Sequence, residues 1–158
     1  MDKLISCLDR QFAELHRAQR ELIGAISPEL LYEQPPGGSS LFPILSCGEY
    51  VLRSAAAVEQ TFGGITSNLW DDPFEWTLPE ALATPEKIVG YLEEVEATRK
   101  HGFEFLQSDE DLLKEVMAPA GQTQLFSLLL DTLQRAAHHQ GGAAATMELL
   151  TANLKGVE

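Results

Sequence analysis

Leu4, Leu8, Phe12, Leu15, Leu22 and Ile26 recur every three or four residues, with Asp9, Arg10, Glu14, Arg17 and Arg20 between them. That period predicts an amphipathic helix over 2–26. Ser27-Pro28-Glu29 starts a further turn, and Pro35-Pro36-Gly37-Gly38 closes it as a loop. A second helix is expected over 43–62, capped by Ser39 or Ser40, with Pro43 in its first turn and Gly63-Gly64 as its stop. Its interior is small, with Ser54, Ala55, Ala56 and Ala57 in succession. Such residues let another helix approach closely or leave room for a cavity. From 65 to 83 no period holds. Asn68, Asp71-Asp72-Pro73 and Pro79 are loop signals, with Trp70, Phe74 and Trp76 among them. A connection of that length is unusual in a small domain. Its aromatic content implies that it packs across the body, as a crossover between two parallel helices would. In the alternative, the tryptophan pair lines a ligand pocket. Thr84-Pro85 opens a third helix, which Ile88, Leu92, Val95, Gly102, Phe103 and Leu106 carry to about 107. Ser108-Asp-Glu-Asp begins a connection that Pro119-Ala-Gly121 ends, and a last helix is expected over 123–154. Four long helices, no convincing strand and no internal repeat predict one all-α domain over 1–158, a four-helix bundle.

The last helix carries two stripes. Phe126, Leu129, Leu130, Leu133, Ala137, Ala144, Met147 and Leu150 form an ordinary core face. Leu125, Leu128, Thr132, Arg135, His139, Gly142, Thr146 and Leu149 form another, apolar at its ends and polar or small in its middle. A dry core would not choose that middle, because a buried polar group costs free energy unless it is partnered. Either Thr132, Arg135, His139 and Thr146 line a cavity, or the stripe faces solvent.

Composition narrows the partners. The 158 residues suit one domain, and 11 Lys+Arg against 24 Asp+Glu give a formal charge of −13. Such a surface repels nucleic-acid phosphates and anionic lipids. No apolar run reaches the roughly 18 residues of a membrane span, and no secretory signal is visible. A cytoplasmic location is therefore expected. Cys7 and Cys47 stand far apart among apolar residues and are expected to be buried, inert thiols. No serine lies in a Gly-x-Ser-x-Gly turn, and Gly37-Gly38, Gly63-Gly64 and Gly141-Gly142 lack the flanks of a phosphate loop.

The chemistry concentrates in Asp131-Thr-Leu-Gln-Arg135-Ala-Ala-His138-His139-Gln140-Gly141-Gly142. Two histidines one helical turn apart can chelate a metal, but here the first position is Arg135, which has no lone pair to give. His138 points about 100° away from His139 and reads as a surface histidine. His16 and His101 stand alone on other helices and read as structural. Glu49 precedes Arg53 by four residues and Asp131 precedes Arg135 by four, the favourable order for an intrahelical pair.

Three passages resemble the DinB-like superfamily, the DinB/YfiT-like metalloenzymes. Ser46-Cys-Gly-Glu-Tyr-Val-Leu-Arg53 is similar to that family's second-helix motif, roughly Ser-Ile-Gly-Glu-His-Val-Leu-His. Thr84-Pro-Glu-Lys-Ile-Val-Gly-Tyr-Leu92 resembles its third-helix start. Arg135-Ala-Ala-His-His-Gln-Gly141 resembles its last-helix motif, His-x-x-His-His-Arg-Gly. The resemblance implies an up-down-down-up bundle and a homodimer. In metal-binding relatives one histidine of the second helix and two of the last hold a divalent metal such as zinc or nickel. Those positions here are Arg53, Arg135 and His139, so only one ligand type is kept and no metal is expected.

Three functional readings follow. In the first, Arg53, Arg135, His139 and Thr132, with Glu49 beside them, form a pocket between the second and last helices for a small anionic ligand, which guanidinium groups suit through paired hydrogen bonds. In the second, implied by the resemblance, the chain is a metal-dependent thiol S-transferase or isomerase. In the third it is a structural, dimerising module with a vestigial site. Catalytic residues and substrate are not legible in the sequence.

Overall fold

The computed structural model describes residues 3–39, 41, 43–71 and 79–156. Four α-helices carry the fold: α1 over Lys3–Ala25, α2 over Cys47–Ser67, α3 over Pro85–Glu104 and α4 over Leu125–Lys155. Helix α2 packs against α4 and α3, while α1 packs against α3 and α4 and barely touches α2. The interior is one continuous core, with Ile5, Phe12, Val51, Phe62, Leu92 and Leu129 almost fully covered. Phe12, Phe62 and Phe103 meet at its centre, with ring centroids 5.2 to 6.0 Å apart. Gly102 is required there, because a Cβ would stand 2.4 Å from the Phe62 ring.

The expected helix over 2–26 is α1, and Pro28–Leu30 adds the short turn that Ser27-Pro28 announces. The N-terminus of α1 is capped from far along the chain: the Asp109 carboxylate accepts from Leu4 N–H at 3.1 Å and Ile5 N–H at 3.0 Å. Such a cap satisfies two of the orphan donors at a helix start and suits the helix dipole. Thr84 caps α3 as expected, its hydroxyl accepting from Lys87 N–H, with Pro85 at the first helical position.

Helix α2 departs from the sequence expectation at both ends. It starts at Cys47, because Ser46 and Glu49 form a reciprocal capping box, and neither Ser39 nor Pro43 lies at its start. Ser40 lies outside the described residues. Gly63 and Gly64 do not stop the helix. It runs through them to Asn68, whose left-handed φ of 54° ends it. Gly64 instead seats the Trp70 indole, which a Cβ would meet at 2.1 Å. Of the aromatic segment that follows, 72–78, with Phe74 and Trp76, lies outside the described residues.

Strands are present after all. Glu115–Ala118 (β1) pairs antiparallel with Gly121–Gln124 (β2), a hairpin that leads directly into α4. Gly121, with φ of 121°, supplies a backbone conformation open to glycine and hostile to other residues. The last helix therefore begins at Leu125, two residues beyond the expected start.

The two stripes expected on α4 are replaced by one seam between them. Leu125, Leu129, Thr132, Ala136, Ala143, Thr146 and Leu150 are buried, with His139 half-buried in the same series. Their spacing alternates four and three, a 3.5-residue period that keeps one face toward a neighbouring helix. Leu130, Ala137 and Ala144 of the expected core face are exposed. The small residues of α2 serve this contact. Ser54 donates to the carbonyl of Ala136 at 2.7 Å and accepts from buried Gln19 at 2.8 Å. Ser54, Ala55, Ala56 and Ala57 are all buried inside the chain and so are not free for a partner.

Cys47 is buried as expected, and burial pushes its thiol up to about 12. Cys7 is exposed, contrary to expectation. It lies two residues past Ile5, some 200° round the helix from that core position. His16 is half-buried and faces Glu93 at 3.7 Å, with burial holding its pKa below the ordinary imidazole value. Among the described residues no helix is long and apolar enough to cross a membrane.

Candidate functional site

Helices α2 and α4 run antiparallel past each other, which sets the register of the site. Tyr50 meets His139, Ser54 meets Ala136, and Thr61 meets Thr132. Gly142 lets the helices close at this level, since a Cβ there would stand 2.8 Å from the Tyr50 ring. The Tyr50 and His139 ring centroids lie 6.3 Å apart.

Arg53, one turn after Tyr50, and Arg135, one turn before His139, are both exposed. Both are close enough to His139 to act on it. Burial lowers the His139 pKa below its ordinary value, and the charges of His138, Arg53 and Arg135 lower it further. The three positions singled out in the sequence thus share one electrostatic neighbourhood. Among the described residues the buried Nδ1 of His139 meets no hydrogen-bond partner, nor does the Oε1 of Gln140. A buried polar atom left in that state carries a desolvation cost.

The other two candidate residues have structural duties. Glu49 accepts from the backbone and hydroxyl of Ser46 at 2.9 and 2.8 Å, and from Gln34 at 3.3 Å. Burial pushes its pKa up, but those hydrogen bonds and the nearby Arg53 charge leave it lower than usual. Thr132 is fully buried, donating to the Leu128 carbonyl at 2.8 Å and paired with Thr61 at 2.7 Å. Thr146 is buried too, donating to the Leu45 carbonyl. The four polar residues of the α4 stripe therefore do not line one cavity. Thr132 and Thr146 are spent inside the bundle, Arg135 reaches solvent, and His139 lies between. Among the described residues no ion pair joins Asp131 to Arg135. His138 is exposed and His101 pairs with Glu104 on the surface.

A cleft of about 440 Å³ adjoins Arg135, between α2, α4 and the hairpin turn. Thr61, Trp70, Pro119, Leu128 and Asp131 line it with Arg135. Its size is that of a small-molecule site. Sequence reasoning missed Tyr50 and Thr61, while Leu128 already stood in the stripe drawn through Arg135. Tyr50 and Thr61 lie three before and eight after Arg53, so helical spacing from the arginine was the available signal. Trp70 stood in an aperiodic stretch, where the alternative reading already placed the tryptophan pair at a ligand pocket, and it does line this cleft.

The donor set at Arg53, Arg135 and His139 does not fit a divalent cation. Guanidinium groups have no lone pair to donate and repel positive charge, which leaves a single imidazole. Among the described residues no three His, Cys, Asp or Glu side chains converge closely enough to hold a metal ion.

No family model matches the sequence, and no curated protein matches it. A crystal structure from Exiguobacterium sibiricum, of a protein provisionally placed in the DinB family, is similar, with a TM-score of 0.68 and 19% identity over 96% of this chain and 94% of that one. At that identity the likeness defines the fold: this chain has a DinB-like helical fold.

Proposed function

We propose that this chain is a DinB-like protein that binds a small anion at Arg53, Arg135 and His139 without a divalent metal. The observation that carries the reading is the crowding of positive charge on one half-buried imidazole. In a chain of net charge −13, two arginines from different helices press on His139, whose Nδ1 has no protein partner among the described residues. A carboxylate or phosphate would offset the mutual repulsion and supply the missing acceptor.

The bundle is read as up-down-down-up. Gln19 meets Ser54 while Phe12 meets Phe62, and Asp9 meets Arg99 while His16 meets Glu93. These pairs support α2 and α3 both running opposite to α1. The homodimer is retained as part of the reading. With the small face of α2 used internally, the groove between α1 and α4 that holds Leu15, Leu130 and Leu133 is its best supported face.

Thermal unfolding tests the anion reading. Millimolar orthophosphate is expected to raise the Tm by several degrees, whereas equimolar zinc or nickel leaves it unchanged. A stabilisation by zinc at one equivalent, with none by phosphate, would reverse the assignment.

A further inference from the structure

The cleft next to Arg135 has a wall that is held in place rather than left there by chance. The Trp70 indole lies on Gly64, its Nε1 donates to Asn68 Oδ1 at 3.2 Å, and its carbonyl accepts from Gln60 Nε2 at 3.0 Å. Leu128 and Pro119 supply further apolar surface. An aromatic wall of this kind favours a flat, apolar body.

The polar groups of the cleft specify what that body carries. The single hydroxyl proton of Thr132 goes to the Leu128 carbonyl, so in the 2.7 Å contact with Thr61 it is Thr61 that donates. Thr61, 2% exposed, then has only acceptor capacity left to offer the cleft. Asp131 on the rim is likewise an acceptor. Arg135 stands one helical turn beyond Asp131, about 6 Å along the axis. A donor at one end and an anion at the other, separated by one aromatic ring, match that spacing.

We propose that the site takes an aromatic carboxylate bearing a ring hydroxyl or amine. Its carboxylate lies on Arg135 toward Arg53 and His139, its ring rests against Trp70 and Leu128, and its ring donor reaches Asp131 on the rim. This rests on the anion reading above and adds the chemistry of the body.

Calorimetric titration of the full chain with orthophosphate, benzoate, 4-hydroxybenzoate and 4-hydroxybenzyl alcohol tests it. The expected order places 4-hydroxybenzoate at least tenfold tighter than benzoate, with the uncharged alcohol weakest. Sites built to pair a ligand hydroxyl discriminate strongly against analogues that lack it. Leu128→Trp, which fills the cleft, should weaken 4-hydroxybenzoate tenfold or more and leave phosphate unchanged. Should that variant fail to fold, Asp131→Ala on the exposed rim should bring 4-hydroxybenzoate to within threefold of benzoate. Phosphate binding with no gain from either aromatic acid would overturn the cleft proposal and leave the anion reading standing. Alcohol binding as tightly as 4-hydroxybenzoate would overturn the cleft proposal, and no binding by any probe would overturn both.

Discussion

Replacing Arg99 with alanine is expected to cost about 3–5 kcal/mol at neutral pH, the usual penalty for stranding one partner of a buried ion pair. Arg99 is 2% exposed between α1 and α3. Its Nε and Nη2 donate to the two oxygens of Glu96, each at 2.8 Å, and its Nη1 donates to the Asp9 side chain. The guanidinium also lies over the Phe103 ring, 5.4 Å from the centroid. Burial opposes the charge on each partner, yet the hydrogen bonds win. The Arg99 pKa is raised and the Glu96 pKa is lowered. The sign of the pH dependence follows. A carboxylate with a depressed folded pKa contributes stability above its unfolded value, near 4.3, and loses it as pH falls through the folded one. Without Arg99, burial acts on Glu96 against only the charges of His16 and Lys100, so its pKa climbs and the variant sheds part of its penalty by protonation. Urea denaturation followed by helical circular dichroism should show the deficit of the Arg99→Ala protein shrinking from pH 7 to pH 4. Leucine at both 96 and 99 should restore stability to within about 2 kcal/mol of the parent. An equal deficit at both pH values would remove Glu96 from the explanation.

The paired substitution Arg53→Gln with Arg135→Gln should abolish phosphate binding while leaving the fold intact. Hydrogen bonds to charged partners contribute about 1.5–3 kcal/mol each, so losing two predicts a weakening of roughly a hundredfold or more. Both arginines are exposed, and surface substitutions of that kind change stability by about 0.5 kcal/mol or less. The same variant should let the His139 pKa rise, since both charges depress it. Phosphate titrations and urea denaturation on one preparation separate the two effects. Undiminished phosphate affinity would place the anion elsewhere.

The fold was legible where local chemistry and long-range packing agree. Thr84-Pro85 carries both the cap and the fixed φ of a helix start, and α3 begins there. Helix α2 was misplaced because Pro43 and Gly63-Gly64 are only permissive signals. The reciprocal bond between Ser46 and Glu49 fixes the start, and the Trp70 ring uses Gly64 as a seat. The hairpin escaped because a strand of four residues with exposed and half-buried side chains has no period to detect. On α4 the first expected stripe held Leu129 and Leu150 of the true seam, the second held Leu125, Thr132, His139 and Thr146, and Ala136 and Ala143 fell in neither, since α2 and α1 bury adjoining faces of a helix whose single-sequence period cannot say which neighbour lies where. The site was legible in part. Arg53, Arg135 and His139 share a neighbourhood, as the family resemblance implied. Glu49 and Thr132 are held by capping and by a hydroxyl pair, which no spacing rule reveals.

The most direct measurement is the imidazole resonance of His139 in solution, followed by NMR as phosphate and, separately, zinc are added. In the free protein His139 should titrate below the ordinary imidazole range, because burial and the neighbouring charges, those of Arg53 and Arg135 among them, disfavour its protonation. Phosphate should shift the resonance and raise that pKa, and zinc should leave both unchanged. A stoichiometric response of His139 to zinc, with none to phosphate, would contradict the account.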